Sequence, residues 1–372
     1  MPLRLLAACV FALAPAAAFA QIDYSHGFVK RGLLGTVYAE FGLRQHAALA
    51  TISYILFLFL LAIFILLTRK SGIEERTGSV AVVAMFTSSY VFTFLAHLNG
   101  YTDIVLAGIA MLLLLVRSPL RRFCIGLPLI VIALLIHEGF LILFFPVVLL
   151  SFVVDAACEA NRKDRQRTLI YMSLLTLVTF GTTLAVVFLG RISPNQVALF
   201  HSEILARADF TPREEFFTVL NASVADNFHL SARRLLDLRW YGAALLAICL
   251  LGPTLIGLLS FCRKLLARFT PKSASGRTKI VTISALIALL APECMNLLGI
   301  DSMRWHVLTA FVAYLILLTL SMRLPPGRLP ISPAGLRFIG FVIALNLAGG
   351  FGLYDHMVIR PFPFFPALFR GF

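Results

Sequence analysis

Charge is scarce in this chain: 13% of its 372 residues are Asp, Glu, Lys or Arg, while 60% are apolar. Such a chain cannot turn a polar surface to water on every side, which excludes an ordinary soluble globular protein. Cysteine is sparse too. Cys9, Cys124, Cys158, Cys249, Cys262 and Cys294 lie in or beside apolar runs, and no CxxC pair occurs. Neither a disulfide framework nor a zinc site is predicted. There is no Walker loop, GxSxG elbow or dinucleotide fingerprint, and His137-Glu138-Gly139 is not HExxH. Soluble nucleotide chemistry and a zinc protease are therefore excluded. No internal repeat stands out, although transporters often carry one. Acid is short relative to base, 18 residues against 32, for a net charge of +14. The excess collects in short loops between apolar runs, which is how membrane proteins mark their cytoplasmic side, so no nucleic-acid partner is expected.

What the chain does have is apolar runs of about 18–20 residues, each long enough to cross a bilayer core. Backbone in lipid must satisfy its own hydrogen bonds, so these runs are predicted to be helices. The expected fold is all-α: a single polytopic membrane domain, 1–372, with 10 or 11 transmembrane helices. Residues 1–20 fit a first transmembrane helix or a signal peptide, with Arg4 in front and Ala-Phe-Ala at the end. Either way Gln21 emerges on the outer face. Leu33 to Leu43 reads as a short interfacial helix. Further spans are expected near 47–67, 79–95, 104–116, 169–189, 240–261, 280–298 and 338–353, with another ending at Arg323.

Parity locates one turn that hydropathy alone misses. Arg122 and the run Arg162, Lys163, Arg165, Arg167 are both basic, and almost forty mostly apolar residues separate them. The chain must cross twice between them and turn near His137-Glu138-Gly139. Residues 190–238 form an amphipathic insert outside the cytoplasm. Thr211, Pro212 and Glu214 mark a helix start there, and Asn221-Ala222-Ser223 matches a glycosylation sequon. With this topology 20 of the 32 basic residues are cytoplasmic, and 13 of the 18 acids lie outside or near the outer face.

The same topology gathers the unusual residues. Asp23, His26, Lys30, Arg31, Asn99, Asp103, His137, Glu138, Glu293, Asp301, Arg304 and His306 all fall on or near the outer face. Ionisable groups at membrane depth are costly and usually functional. Lys30 and Arg31 fit a phosphate or pyrophosphate clamp, or equally lipid headgroup anchors. Asp23 is suited to be a general base, or to pair with Lys30 or Arg31. His137 and Glu138 form either a site or a satisfied buried pair. Asp301 and Arg304 have the spacing of a helix pair, and Asp103 can cap a helix.

An acid just after the first span, an interfacial helix and polar residues gathered at one face resemble membrane glycosyltransferases of the GT-C type. Ile136-His137-Glu138-Gly139-Phe140 with Pro146, and the late Asp301 and Arg304, resemble polysaccharide polymerases of the EpsG and Wzy kind. The resemblance implies a GT-C-like bundle that uses a polyprenyl-(pyro)phosphate-linked sugar donor and a glycan acceptor, without cofactor or metal. Carried over, Asp23 is the acceptor base, Lys30, Arg31 and Arg304 hold the donor phosphates, and His137 assists with Glu138 beside it. His26, Asp103, Asp301 and His306 line the rest of the cavity. The expected function is therefore glycosyl transfer or polymerisation at the extracytoplasmic face of the plasma (bacterial inner) membrane, with membrane lipids around the protein. A secondary transporter or lipid-linked-sugar flippase, with His137 and Glu138 as a proton relay, is the first alternative. A multi-pass acyltransferase is the second.

Overall fold

The computed structural model describes residues 18–97, 101–209, 217, 222–234, 236–268, 275–299, 301–325, 327–348, 352–355 and 358–361. Most of the first apolar segment, Asn99, the helix start at Thr211, Pro212 and Glu214, and Asn221 of the sequon lie outside the described residues. The rest is an all-α polytopic bundle with one short antiparallel hairpin near its end, β1 (Gly352–Asp355) and β2 (Val358–Pro361). Six helices are long and apolar enough to cross a membrane. They are α2 (His46–Ser71), α6 (Pro119–Ile136), α8 (Arg162–Leu189), α11 (Leu238–Arg268), α12 (Ser275–Leu290) with the 3-10 turn Ala291–Leu297, and α13 (Ser302–Arg323). Shorter apolar helices are α5 (Asp103–Leu115), α7 (Phe145–Cys158) and α14 (Pro333–Ala348). The chain is an integral membrane protein.

α13 is the axis of the bundle. In its most apolar window 89% of the residues are inside the protein, against 17% for α8, which faces outward. The core around α13 is aromatic: Tyr314 stacks on Phe86 at 4.0 Å and on Phe64 at 5.3 Å, and Phe311 and Phe92 close the cluster.

The expected third span is not one helix. It breaks between α3 (Ala81–Thr87) and α4 (Tyr90–His97), at Ser88 and Ser89. A break in lipid strands backbone carbonyls. Asn346 of α14 answers this one, donating from Nδ2 to Met85 O at 3.1 Å, Ser88 Oγ at 3.2 Å and Thr254 Oγ1 at 3.2 Å. The turn predicted from parity is where it was expected. α6 ends at Ile136 and a short helix, Phe140–Leu143, leads into α7. Pro119 behind a Ser118 cap starts α6, and Pro146 sits in the first turn of α7.

The bundle has two polar ends. At the first, the stretch after Gln21 packs on the insert through its own small core of Ile22, Val29, Ile192, Phe200, Ile204 and Phe217. α1 (Gly32–Glu40) is slightly shorter than expected. The chain crosses it so closely that a Cβ on Gly35 would lie 1.7 Å from Ile22 O, so glycine is required there. Two amphipathic helices of the insert are described, α9 (Pro194–Arg207) and α10 (Val224–Arg234). A full capping box of Ser193 and Gln196 starts α9.

Candidate functional site

At the first end five distant chain segments bring ionised groups together. Arg31 is the N-cap of α1 and has a left-handed backbone, φ 67°, the one non-glycine with positive φ among the described residues. Such a conformation costs about 1–2 kcal/mol and persists only where something holds it. Here Glu138, in the turn after α6, holds it. Arg31 Nη2 lies 2.5 Å from Glu138 Oε1, and Nε reaches both carboxylate oxygens at 3.2 Å.

Beside Glu138 stands His137, which is buried. Its Nδ1 accepts the Gly139 N–H at 2.9 Å and lies 3.7 Å from Glu138 Oε2, too far to bond it. A nitrogen that accepts carries no proton, so the neutral ring holds its hydrogen on Nε2. Arg31, Glu138, Arg304 and Asp103 are all near enough to act electrostatically on this ring.

Arg304, in the first turn of α13, donates to Asp103 of α5 at 2.5 Å and to Asp301 at 3.4 Å. It also lies over the rings of Tyr101 and Trp305, at 5.3 and 4.7 Å. Asp103 is thus an ion-pair partner rather than a cap: the N-cap of α5 is Thr102, and it makes no side-chain cap bond. Two residues on, His306 Nδ1 meets Glu293 of the 3-10 turn at 2.9–3.0 Å, and Asn296 donates to the same carboxylate.

Lys30 is buried, with a single bond from its Nζ to Ala222 O of the insert at 3.2 Å. No carboxylate of the described residues lies within ion-pair distance. Burial pushes its ammonium down to about 8, and Arg31 and Arg191 push the same way against the pull of Glu138. Its backbone N–H donates to Gly190 O at 2.9 Å, which ties it to the start of the insert.

Asp23 is engaged elsewhere. It pairs not with Lys30 or Arg31 but with Arg44 and Arg207, and takes bonds from Ser25. Burial and the nearby Arg207 bring Arg44 down to about 10. His26 faces Glu203 of α9 at 2.9 Å, half exposed. So Lys30, Arg31, Asp103, His137, Glu138, Asp301 and Arg304 form one connected region. His306 adjoins it through the start of α13, while Asp23 and His26 fasten the polar stretch to the insert.

Sequence reasoning missed Arg44, Arg207 and Glu203 as partners. Nothing in their spacing signals them, because each pairs with a residue at least 21 positions away. Among the described residues no group of three or more His, Cys, Asp or Glu is placed to hold a metal ion. The class defined so far is a polytopic helical membrane protein with a buried ionic network at one end. Compared with known protein families, curated proteins and solved structures, the chain matches none.

Proposed function

We propose that this protein is a membrane glycosyltransferase or polysaccharide polymerase that takes sugar from a polyprenyl-(pyro)phosphate donor at the end of the bundle carrying Lys30, with that end outside the cytoplasm at the plasma membrane. The observation that carries the reading is Lys30 itself: a buried ammonium with no carboxylate of the described residues within ion-pair distance, next to an ion-paired network. A buried cation without a counterion is expensive. Its cost falls when an anion arrives, and a lipid-linked phosphate delivers one at membrane depth. The donor phosphate displaces Ala222 O from Lys30. Arg31 and Arg304, held by Glu138 and Asp103, form the positive surroundings. His137 presents its Nε2–H as a hydrogen-bond donor to the phosphate. Asp23 already serves Arg44 and Arg207, so no proton is routed through it. The orientation is supported by the basic loops at the opposite end, which include Arg69, Lys70, Arg121, Arg165 and Lys264.

The test is purified protein in lipid, given a radiolabelled polyprenyl-phosphate sugar and a glycan acceptor. The expected result is labelled glycan, with product from Lys30→Met reduced roughly ten- to a hundredfold, the loss of one charge-assisted contact. Movement of intact labelled lipid across the bilayer without cleavage would overturn transfer in favour of a flippase. In a cysteine-free background, Ser25→Cys should react with an impermeant thiol reagent from outside and Arg165→Cys should not. The reverse would overturn the orientation.

A further inference from the structure

Two histidines at this end, His137 buried and His306 partly exposed, are held in opposite tautomers, and the second one defines a base. A carboxylate can only accept, so His306 Nδ1, 2.9 Å from Glu293 Oε2, carries the ring proton. In the neutral ring its Nε2 then carries a lone pair. That atom is closed off from solvent and meets no donor among the described residues. His137 is the mirror case, with Nδ1 filled by Gly139 N–H and the proton on Nε2. One ring is built to donate and the other to accept.

His306 Nε2 is not alone. Asn296 Oδ1, Trp305 Nε1, Arg304 Nε and Asp103 Oδ1 are also buried without a hydrogen-bond partner among the described residues. They sit on or bonded to the same two elements, the 3-10 turn and the first turn of α13, with Asp103 joined through Arg304. Buried polar atoms normally find partners, and orphans gathered in one place call for an explanation. A hydroxyl-rich ligand supplies both donors and acceptors.

We infer that the start of α13 and the 3-10 turn form the acceptor subsite for a glycan hydroxyl, with His306 as the general base and Glu293 as the residue that orients it. This rests on the transfer reading above. In the step, the acceptor hydroxyl gives its proton to His306 Nε2 as its oxygen bonds to the anomeric carbon of the donor. The bond from that carbon to the phosphate oxygen breaks, and the electron pair leaves on the phosphate, beside Lys30. Glu293 balances the imidazolium until the proton passes to water. The two subsites adjoin, because Phe140–Leu143, the helix that follows Gly139, packs on the turn that holds Glu293.

His306→Asn keeps an N–H for Glu293 at the Nδ1 position and removes Nε2. It should fold as the wild type and bind donor unchanged. Transfer should fall on the order of 10²–10⁴-fold, the usual worth of a positioned base. His306→Ala should regain part of its rate with added imidazole, which a structural role would not produce. Glu293→Gln should lower kcat and leave the KM for acceptor in place, with partial rescue in Glu293→Asp. Wild-type transfer rates in His306→Asn would overturn the base and leave the donor site standing. If the wild type transfers nothing, the transfer reading falls. The ring nitrogens in ¹⁵N-histidine spectra then decide the dyad alone: a bare Nε2 supports it, and a bare Nδ1 overturns it.

Discussion

Both ends of the bundle bury arginines, but they use them differently. At the far end Arg122, fully buried, and Arg323 share Asp155, at 2.8 and 3.3 Å. They also donate to Val116 O, Arg117 O and Leu114 O, the backbone where α5 stops. Arg122 lies over the Phe152 ring, and Arg76 ties the loop after α2 to Leu324 O and Pro325 O. Those cations finish a helix terminus and clamp loops, and each has a local backbone reason to be there. At the Lys30 end Arg31 and Arg304 bind carboxylates from distant segments, Arg31 with a left-handed backbone, while buried polar atoms without a hydrogen-bond partner among the described residues occur at both ends. Buried charge alone therefore does not mark a site. What sets the Lys30 end apart is a buried ammonium bonded to a backbone carbonyl, with no carboxylate of the described residues in ion-pair range.

The largest expected effect breaks the far end. Asp155→Ala leaves two buried guanidiniums without their carboxylate, a change that costs about 3–5 kcal/mol. Thermal unfolding in detergent should show a large drop in Tm, while the protein that remains folded binds donor as the wild type does. A selective loss of donor binding instead would erase the distinction between the ends.

Next comes the strained clamp. Glu138→Gln weakens the bond that holds Arg31 in its left-handed conformation, and a loss of a few kcal/mol is expected. Combining it with Arg31→Gly removes both the strain and the uncompensated charge, so the double variant should be more stable than Glu138→Gln alone. Strict additivity of the two changes would show that the pair is not coupled.

A subtler effect comes from pH. Lys30 titrates near 8 in the folded protein, against 10.5 in its ordinary state. Raising pH through about 8 removes the charge proposed to bind phosphate, so donor affinity should weaken between about pH 7 and pH 9. Over the same range the unfolded chain keeps more protons than the folded one, so the contribution of Lys30 to stability should rise. Binding and stability move in opposite directions, and in Lys30→Arg binding should stay flat. Parallel trends would show that Lys30 does not carry the dependence. The smallest effect belongs to the half-exposed pair of His26 and Glu203, where His26→Ala should cost no more than about 1 kcal/mol.

Most of the membrane helices could be read from the sequence because lipid leaves a chain so few options: apolar runs, basic loops and parity located them and the turn at His137, though the span expected at 338–353 is a helix over Pro333–Ala348, and residues 352 and 353 begin a strand. The i, i+3 pair of Asp301 and Arg304 was legible for the same reason, since helix geometry is local. The break at Ser88 was not, because its rescue comes from Asn346, far along the chain. Nor was the partner of Asp23. Local logic offers Lys30 and Arg31, which are seven and eight positions away, but the fold gives those two to Ala222 and Glu138 and brings Arg44 and Arg207 to the acid. The role of Glu293 depends on a hydrogen bond that fixes a tautomer, and no spacing rule reports that.

The most direct measurement is equilibrium binding of a polyprenyl-phosphate sugar to the protein in lipid nanodiscs. Wild type, Lys30→Met and Arg167→Met, an exposed cation of the far end, are to be compared at one salt concentration. The expected result is a loss of roughly ten- to a hundredfold at Lys30 and wild-type affinity at Arg167. Equal affinity in all three proteins, or the same loss in both variants, would contradict a donor-phosphate site at Lys30.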